Sequence, residues 1–380
     1  MMNKIIIVGV SPLVQRRSDV FYIEPLRERG YVVEHCDLSP CFYNYTRYSN
    51  IINVPYALTF KSLETFDEYL KSQDIKHSIF IVELLPVIEL QPLFKLLRSK
   101  ACYCIRINPN ASDMSSDVLP VLTRIKKGCY RFSDFMSFPL RIFRRFFNKG
   151  KSDNFNYNIW SYYISSGKNP LIDFHINQDD WVKSRKKYKQ VEGIPNKYAV
   201  FCDEYFPYHP DNECYEFGDI DSLAEQYYTL MNKYFDYLEQ INDVKIIIAG
   251  HPKSNYKGYE FGGRPIIRFK TVELVRFSEF VVLHGSMSIA YAILFDKPIS
   301  LVITSGLKSF PMMYMHQLQY SEYFQLPLYN ISKDIKALPQ RVSLGVKEKY
   351  IYDYLTTKGI EDKDNVDLLD ELFSKEIPFT

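Results

Sequence analysis

The segment Val244–Ile303 decides the fold, and it reads VKIIIAGHPKSNYKGYEFGGRPIIRFKTVELVRFSEFVVLHGSMSIAYAILFDKPISLVI. Val244–Ala249 and Phe280–Leu283 are apolar runs too short for helices, which is typical of strands buried on both faces of a parallel sheet. A helix over 289–295 follows the second run, and another apolar strand ends at Ile303. The segment therefore predicts alternating parallel strands and helices, which is an α/β fold.

Each of these two strands is followed by a turn that contains histidine. Serine is a favoured residue where a helix begins, and the backbone N–H groups at a helix start bind phosphate. In an open parallel sheet, ligands bind beyond the carboxyl ends of the strands. We therefore predict a nucleotide-phosphate site formed by His251, Pro252, Lys253, Thr271, His284, Gly285, Ser286, Met287 and Ser288.

These turns also carry a resemblance to a known family. Three motifs occur in order along the chain: His251-Pro252, Ser286-x-Ser288 and Lys297-Pro298-Ile299. Together they resemble the nucleotide half of bacterial GT-B glycosyltransferases that use CMP-activated sugars. Polysialyltransferases and Kdo transferases of capsule and lipopolysaccharide synthesis belong to this group. The resemblance covers roughly the C-terminal half, and the sequence departs from the family pattern at Met287, which separates the two serines.

The resemblance implies both an architecture and an activity. It implies two Rossmann-like domains facing a cleft, with a C-terminal helix that crosses back to the first domain. The expected boundaries are 1–175 for the acceptor domain, 176–360 for the nucleotide-sugar domain and 361–380 for the crossover helix. The implied reaction moves a nonulosonic acid or Kdo-type sugar from a CMP-sugar to a surface polysaccharide or a lipid-linked glycan.

Composition limits the other classes of protein. The chain of 380 residues has a net charge of +2, and its cysteines, odd in number at seven, show no zinc or redox spacing. We interpret them as free cytosolic thiols. No signal peptide and no run of membrane-spanning length is visible, so a cytoplasmic protein is expected. The Gly-x-Gly-x-x-Gly fingerprint is absent from the N-terminal β-α-β pattern, which argues against NAD or FAD.

A basic segment lies at 122–152. It contains nine Lys or Arg residues and a single acid, Asp134, interleaved with Phe, Ile and Leu. This composition is typical of an interfacial helix on anionic lipid. Nucleic acid is the poorer interpretation because no binding fold accompanies the segment. We expect a peripheral protein on the inner face of the cytoplasmic membrane, although a surface helix that packs its Phe residues inward would have the same composition.

Three carboxylates are candidates for catalysis. Asp203 and Glu204 follow the predicted strand 198–202, where adjacent side chains should point in different directions. We choose Asp203 for the cleft and expect Glu204 to orient its neighbours. Asp203 is a nucleophile if the sugar's configuration is retained, as in retaining Kdo transferases, and a base if it is inverted. Glu83, at the end of a strand in the first domain, is the rival base.

His251 is the fourth candidate. CMP leaves as a dianion, and a histidine with a pKa near neutrality can stabilise or protonate its phosphate without a metal. We expect no cofactor and no metal, because there is no Asp-x-Asp motif and the His and Cys residues are scattered. The alternatives are a teichoic-acid-type CDP-polyol phosphotransferase, a transferase using a UDP- or GDP-hexose, and a non-catalytic binding protein.

Overall fold

The computed structural model describes residues 4–43, 51–84, 87–108, 156–209 and 220–374, with only the backbone of 309 and 311–313. It divides into two compact units. Unit 1 comprises the described residues up to Val182 together with those from Ile351 onward, and unit 2 comprises those of Lys183–Tyr350. The basic segment 122–152 lies outside the described residues.

Unit 1 is built on a seven-stranded parallel sheet. The strands are β1 (Lys4–Gly9), β2 (Val32–Asp37), β3 (Ala57–Thr59), β4 (Ser78–Glu83), β5 (Cys104–Asn108), β6 (Trp160–Ser165) and β7 (Phe174–His175). The helices are α1 (Gln15–Val20), α2 (Ile23–Glu28), α3 (Ser39–Phe42), α4 (Leu63–Lys71), α5 (Gln91–Ser99) and α6 (Asp179–Ser184), with 3-10 turns at Ile75–His77 and Ile88–Leu90. Helix α6 runs across the boundary between the units. The strand order is β3-β2-β1-β4-β5-β6-β7, so the order reverses between β1 and β4.

Alternate residues of the first strand supply the two cores of unit 1. Ile5 and Ile7 pack on one face of the sheet, and Ile6 and Val8 pack on the other. Both faces of a parallel sheet are covered by helices, which explains why the strand is continuously apolar. A continuous apolar run is therefore the sequence feature expected of a strand that is buried on both faces.

Unit 2 repeats this plan. Its six parallel strands are β8 (Tyr198–Cys202), β9 (Lys245–Gly250), β10 (Ile266–Arg268), β11 (Val281–Leu283), β12 (Ile299–Ile303) and β13 (Leu328–Asn330). The helices are α7 (Ile220–Asn242), α8 (Thr271–Phe277), α9 (Ile289–Leu294), α10 (Pro311–Phe324) and α11 (Leu344–Tyr350), with a 3-10 turn at Leu307–Ser309. The strand order β10-β9-β8-β11-β12-β13 reverses between β8 and β11. Both sheets follow the doubly wound Rossmann order, so the predicted α/β class with two Rossmann-like units is confirmed.

The C-terminal helix α12 (Asn365–Ser374) belongs to unit 1, as predicted for the returning helix. Leu369 and Phe373 pack into the same core as Ile5. Asp370 accepts hydrogen bonds from Tyr31 Oη at 2.7 Å and from Arg29 Nη1 at 3.2 Å. Apolar burial and these polar contacts together fix the helix to unit 1.

The domain boundaries differ from those expected. Unit 1 extends to Val182 instead of residue 175, and it includes a π-helical turn at Ile351–Leu355, which was expected in the second domain. The cause is pairing of backbone groups: Lys168 N donates to Asp353 O at 2.9 Å, and Gln178 N donates to Leu355 O at 2.8 Å.

Two predicted helices also differ. The pattern over 20–29 predicts one helix, and the structure has α2 within that range, beginning after Tyr22, which adopts the left-handed conformation with φ 53°. Helix α1 precedes it and was not predicted. The helix predicted to run from Asp179 through Gln190 ends at Ser184. The strands β3, β6, β7 and β13 were not predicted, because each mixes apolar with polar residues and none is a continuous apolar run.

Candidate active site

The site is built at the topological switch point of unit 2. Strands β8 and β11 lie side by side there, and connections leave the two strands in opposite directions along the sheet. Such a point opens a crevice at the carboxyl ends of the strands, where doubly wound proteins bind ligands. Asp203 and Glu204 follow β8, and the turn 284–288 follows β11. Two of the groups that the sequence offers as candidates therefore lie at this switch point.

Glu204 links the two sides of this crevice. Its Oε1 accepts a hydrogen bond from the backbone N–H of Gly285 at 2.6 Å. Burial raises the pKa of Glu204 to about 7, while the backbone N–H groups of Gly285 and Ser286 act in the opposite direction. A carboxyl group with this pKa exchanges its proton near neutral pH, which suits an acid or a base.

Asp203 is the more deeply buried of the two carboxyl groups, with 5% of its surface exposed. Its Oδ2 accepts a hydrogen bond from the backbone N–H of Tyr205 at 2.9 Å, whereas Oδ1 is buried and has no partner among the described residues. Burial raises the pKa of Asp203 well above its usual value. The sequence-based choice placed Asp203 in the cleft and Glu204 as its support, but Glu204 is the half-buried side chain of the pair.

His251 follows β9, the neighbour of β8 on the other side. Its Nδ1 accepts from the backbone N–H of Lys253 at 3.2 Å, so in the neutral ring the proton lies on Nε2. Ser254 Oγ donates to the His251 carbonyl at 2.6 Å and fixes the turn. A Cβ on Gly250 would meet Ile266 Cγ2 at 2.9 Å, so only glycine lets the chain pass this point. Pro252 and Lys253 are exposed beside the half-buried imidazole.

A second histidine lies against His251. The ring centroids of His209 and His251 are 4.8 Å apart, in an edge-to-face arrangement. The sequence had treated His209 as structural or as part of the acceptor side. The contact places both imidazoles at the same edge of the sheet.

His284 has a structural role that the sequence did not reveal. Its side chain is fully buried, its Nδ1 donates to the Val302 carbonyl at 2.7 Å, and Tyr227 Oη donates to its Nε2 at 2.9 Å. Burial lowers the pKa of His284 to about 4, so the ring is neutral at physiological pH. The expected donor contact by this imidazole is therefore replaced by a role in the core.

The serine turn differs from the expected phosphate cradle. The Gly285 N–H donates to the Glu204 carboxylate, so a carboxylate occupies the position expected for a phosphate oxygen. Ser286 Oγ accepts from the backbone N–H of Ser288 at 3.2 Å. Ser288 precedes α9 but its side chain makes no capping hydrogen bond. Met287, between the serines, is exposed.

Thr271 and Glu83 lie away from this group. Thr271 is the first residue of α8 and not its cap, and two strands separate β10, which precedes it, from β11. Glu83 ends β4 in unit 1, where its carboxylate pairs with Arg17 Nη2 at 2.8 Å. Arg17 also donates to Ser11 Oγ, so Glu83 is held within the switch point of unit 1.

Gln317 was missed by sequence reasoning. Its side chain is fully buried on α10, and neither amide atom has a hydrogen-bond partner among the described residues. Its Cγ lies 3.6 Å from the position of a Cβ on Gly285. Nothing in the sequence distinguishes this glutamine from an exposed one, because its burial arises from packing of α10 against the turn.

The described residues contain neither a cluster of metal ligands nor a membrane-spanning helix. No group of three or more His, Cys, Asp or Glu side chains within them is arranged to hold a metal ion. None of the helices in the same part of the chain combines the length and hydropathy needed to cross a bilayer.

Comparison with known proteins gives similarity of fold. No family model and no curated protein sequence matches the chain. Arabidopsis thaliana UGT89C1 complexed with UDP-L-rhamnose aligns with 98% of the chain and 93% of its own, at 9% identity and a TM-score of 0.40. The wall teichoic acid polymerase TagF, H444N variant, aligns over 98% and 89%, at 13% identity and a TM-score of 0.44.

The similar structures also include an enzyme of another class. The UDP-GlcNAc 2-epimerase of Methanocaldococcus jannaschii aligns over 92% of this chain and 97% of its own, at 11% identity and a TM-score of 0.44. At these values the likeness concerns the fold alone, and it assigns neither a reaction nor a donor.

Proposed function

We propose that the chain is a glycosyltransferase that moves a nonulosonic acid or Kdo-type sugar from CMP to a surface polysaccharide or a lipid-linked glycan. One observation carries the proposal. Three candidate groups follow adjacent strands at one edge of the sheet: His251 follows β9, the pair Asp203-Glu204 follows β8, and the turn 284–288 follows β11. The order of the His-Pro and Ser-x-Ser motifs supports CMP as the nucleotide.

The reaction requires two proton-handling groups. The acceptor hydroxyl oxygen forms a bond to the anomeric carbon, and the bond from that carbon to the CMP phosphate oxygen breaks, with its electrons going to the phosphate. In our proposal His251 stabilises or protonates this phosphate. A carboxylate takes the acceptor proton, and no metal is required.

We assign the carboxylate role to Glu204 in preference to Asp203. The pKa of Glu204, about 7, lets it exist as a carboxylate and as an acid near neutrality. Asp203 is more buried and its pKa is raised well above the usual value, which disfavours the ionised form that a nucleophile needs. Its hydrogen bond to the Tyr205 N–H instead stiffens the loop that carries Glu204.

The acceptor and the location are also proposals. We propose that the enzyme acts at the cytoplasmic face of the membrane, with the segment 122–152 on anionic lipid and without nucleic acid as a partner. The segment's charge and its interleaved Phe residues support this, since both features favour an anionic interface.

A thermal-shift comparison of CMP, CDP, UDP and GDP tests the donor. Ligand binding to the native state raises the melting temperature by mass action. We expect CMP to raise the melting temperature of the protein. We expect EDTA to change neither this stabilisation nor the transfer activity. Preference for UDP or GDP would support a hexose transferase, and preference for CDP a polyol phosphotransferase. No change in melting temperature with any of the nucleotides would favour the alternative of a non-catalytic binding protein.

A further inference from the structure

Unit 2 contains a concavity that the proposed mechanism does not use. It has a volume of about 710 Å³, within the range of small-molecule sites. Its wall is formed by residues that follow β8, begin α7 and follow β9. We call it the tyrosine cavity, because four tyrosines contribute to this wall: Tyr205, Tyr208, Tyr228 and Tyr259.

The loop after β8 holds the aromatic part of the wall in a strained conformation. Tyr205 is left-handed, with φ 58°, and its backbone N–H donates to Asp203 Oδ2 at 2.9 Å. Its ring centroid lies 6.3 Å from that of Tyr208 and 5.3 Å from that of Tyr256. A left-handed bulky residue costs about 1–3 kcal/mol, and such residues cluster where ligands are held. The strain therefore marks this wall as a candidate for ligand binding.

The charges in the wall favour a cation. Three carboxylates line the cavity, those of Asp221, Glu225 and Glu260, against a single basic side chain among its described wall residues, that of Lys257. Glu260 accepts from the backbone N–H groups of Lys257 and Gly258, at 2.7 Å and 2.8 Å. The wall therefore carries excess negative charge, which concentrates cations and repels phosphate groups.

The phenol of Tyr208 connects the aromatic and the acidic parts of the wall. Its hydroxyl donates to Asp221 Oδ1 at 2.8 Å. Burial, followed by this hydrogen bond, raises the pKa of Tyr208 to about 12, so the phenol stays neutral at physiological pH. Donation to a carboxylate makes the ring more electron-rich, and cations are attracted to the negative face of such rings.

We infer that the tyrosine cavity binds an organic ammonium ion. An alkylated ammonium ion presents positive charge and apolar surface together, and aromatic ring faces and carboxylates both attract this combination. A quaternary ammonium group and a polyamine share this chemistry. The inference goes beyond the proposed function and does not rest on it, because a protein with no affinity for CMP could still hold an ammonium ion here.

Calorimetric titration of the intact protein with choline and with 3,3-dimethylbutan-1-ol tests the inference. The two probes have the same shape, and only choline carries a charge. Choline should bind at least about fivefold more tightly, because the ring faces and the carboxylates act on the charge. Spermidine is the third probe, and the tighter binder of choline and spermidine distinguishes a quaternary group from a polyamine as the natural occupant.

Three replacements each change one feature of the wall. Tyr259→Leu keeps an apolar side chain but removes a ring, so choline binding should weaken about two- to fivefold. Glu225→Gln removes one negative charge and should weaken it by up to about fivefold. Lys257→Gln removes the like charge and should strengthen binding. Tyr259 and Glu225 are exposed, so their replacement leaves the core intact.

Asp243→Asn is the matched control for Glu225→Gln. Asp243 follows α7, its side chain is fully exposed, and it lies outside the cavity wall. The two variants remove the same charge from the same unit, so they differ only in its position. Choline affinity should stay at the wild-type value in Asp243→Asn.

The outcomes are independent of the donor. Absence of binding by both choline and spermidine would overturn the inference, as would equal affinity for choline and its neutral isostere. Equal weakening in Glu225→Gln and Asp243→Asn would also overturn it, because the net charge of the protein would then explain the binding. Choline binding without any response to CMP would remove the proposed function and leave this inference in place.

Discussion

Glu204 Oε1 and the Gly285 backbone N–H form a 2.6 Å hydrogen bond across the crevice between β8 and β11. The bond joins two loops whose bonded residues are 81 positions apart in the sequence. It also places a titratable group where a phosphate was expected. A ligand phosphate at this turn must therefore displace or replace the carboxylate.

The first prediction concerns the pH dependence of stability. The pKa of Glu204 is raised to about 7 in the folded state, from 4.5. The folded protein therefore keeps a proton that the unfolded chain releases, and stability falls as the pH rises from about 4.5 to about 7. The difference is up to about 3 kcal/mol.

Replacing Glu204 with Gln removes this contribution. Urea unfolding at several pH values should show Glu204→Gln gaining stability relative to the wild type as the pH rises through this window. The comparison must be between the two proteins, because His284 and His35, with lowered pKa values of about 4 and about 3, produce the opposite slope in both. A constant difference between the two curves would show that Glu204 titrates normally.

The second prediction concerns His251. His251→Ala should lower kcat by about 10²–10⁴, the usual contribution of a proton-transferring group. It should change the melting temperature only slightly, because the half-buried imidazole bonds within its own turn and contacts the His209 ring outside the hydrophobic core. Steady-state transfer assays and thermal melts check both. An equally active His251→Ala enzyme would remove this residue from the mechanism.

The third prediction separates the two strand-end histidines. His284→Phe leaves the Val302 carbonyl and the Tyr227 hydroxyl without a partner in the core, which should cost about 2–6 kcal/mol in the free energy of unfolding. The folded fraction should bind CMP as tightly as the wild type. Denaturant unfolding and CMP titration measure the two quantities, and a selective loss of CMP affinity would restore the ligand role predicted from sequence.

The fourth prediction concerns the attachment of α12. Asn365 is buried, its Nδ2 donates to Tyr22 Oη and the Asn177 carbonyl, both at 2.6 Å, and its Oδ1 accepts from Asn177 N at 2.7 Å. Asn365→Ala should lower the free energy of unfolding by about 2–4 kcal/mol, since buried partners are left unpaired. The control on the same helix is Asp367→Ala, whose exposed pair with Arg29 should contribute about 0–1 kcal/mol. Equal losses of stability in Asn365→Ala and Asp367→Ala would contradict the view that the buried hydrogen bonds of Asn365 hold α12 in place.

The fifth prediction concerns the basic segment. Replacing Arg141, Arg144 and Arg145 with Glu should release the protein from anionic liposomes, because charge reversal removes the attraction to the lipid surface. Co-sedimentation at low and physiological salt measures binding. Neutral liposomes provide the control, and binding that survives the triple replacement would mean that the segment is an ordinary surface.

The sequence predicted the fold well because both sheets bury their strands on two faces. Apolar runs such as Tyr198–Cys202 and Val281–Leu283 were therefore recognisable, and the candidate loops follow the ends of these strands. The sequence could not rank Asp203 against Glu204, because adjacent carboxyl groups differ only in what the fold packs around them.

The roles of the histidines show the same limit. His251 and His284 each follow a buried strand, and their sequence contexts look equivalent. The difference arises from α7, which places Tyr227 against His284 and encloses it. Such a contact joins residues 57 positions apart, and no local pattern contains it. The burial of Gln317 against the turn at Gly285 likewise arises from a contact between residues distant in sequence.

The return of α12 to unit 1 has a consequence for biosynthesis. Unit 2 is complete once Tyr350 has emerged from the ribosome, but unit 1 still lacks the helix that carries Leu369 and Phe373 in its core. Domains usually fold during translation in N-terminal order. Here the second unit can finish before the first, and the apolar surface of unit 1 that Leu369 and Phe373 cover stays open until α12 has docked on it.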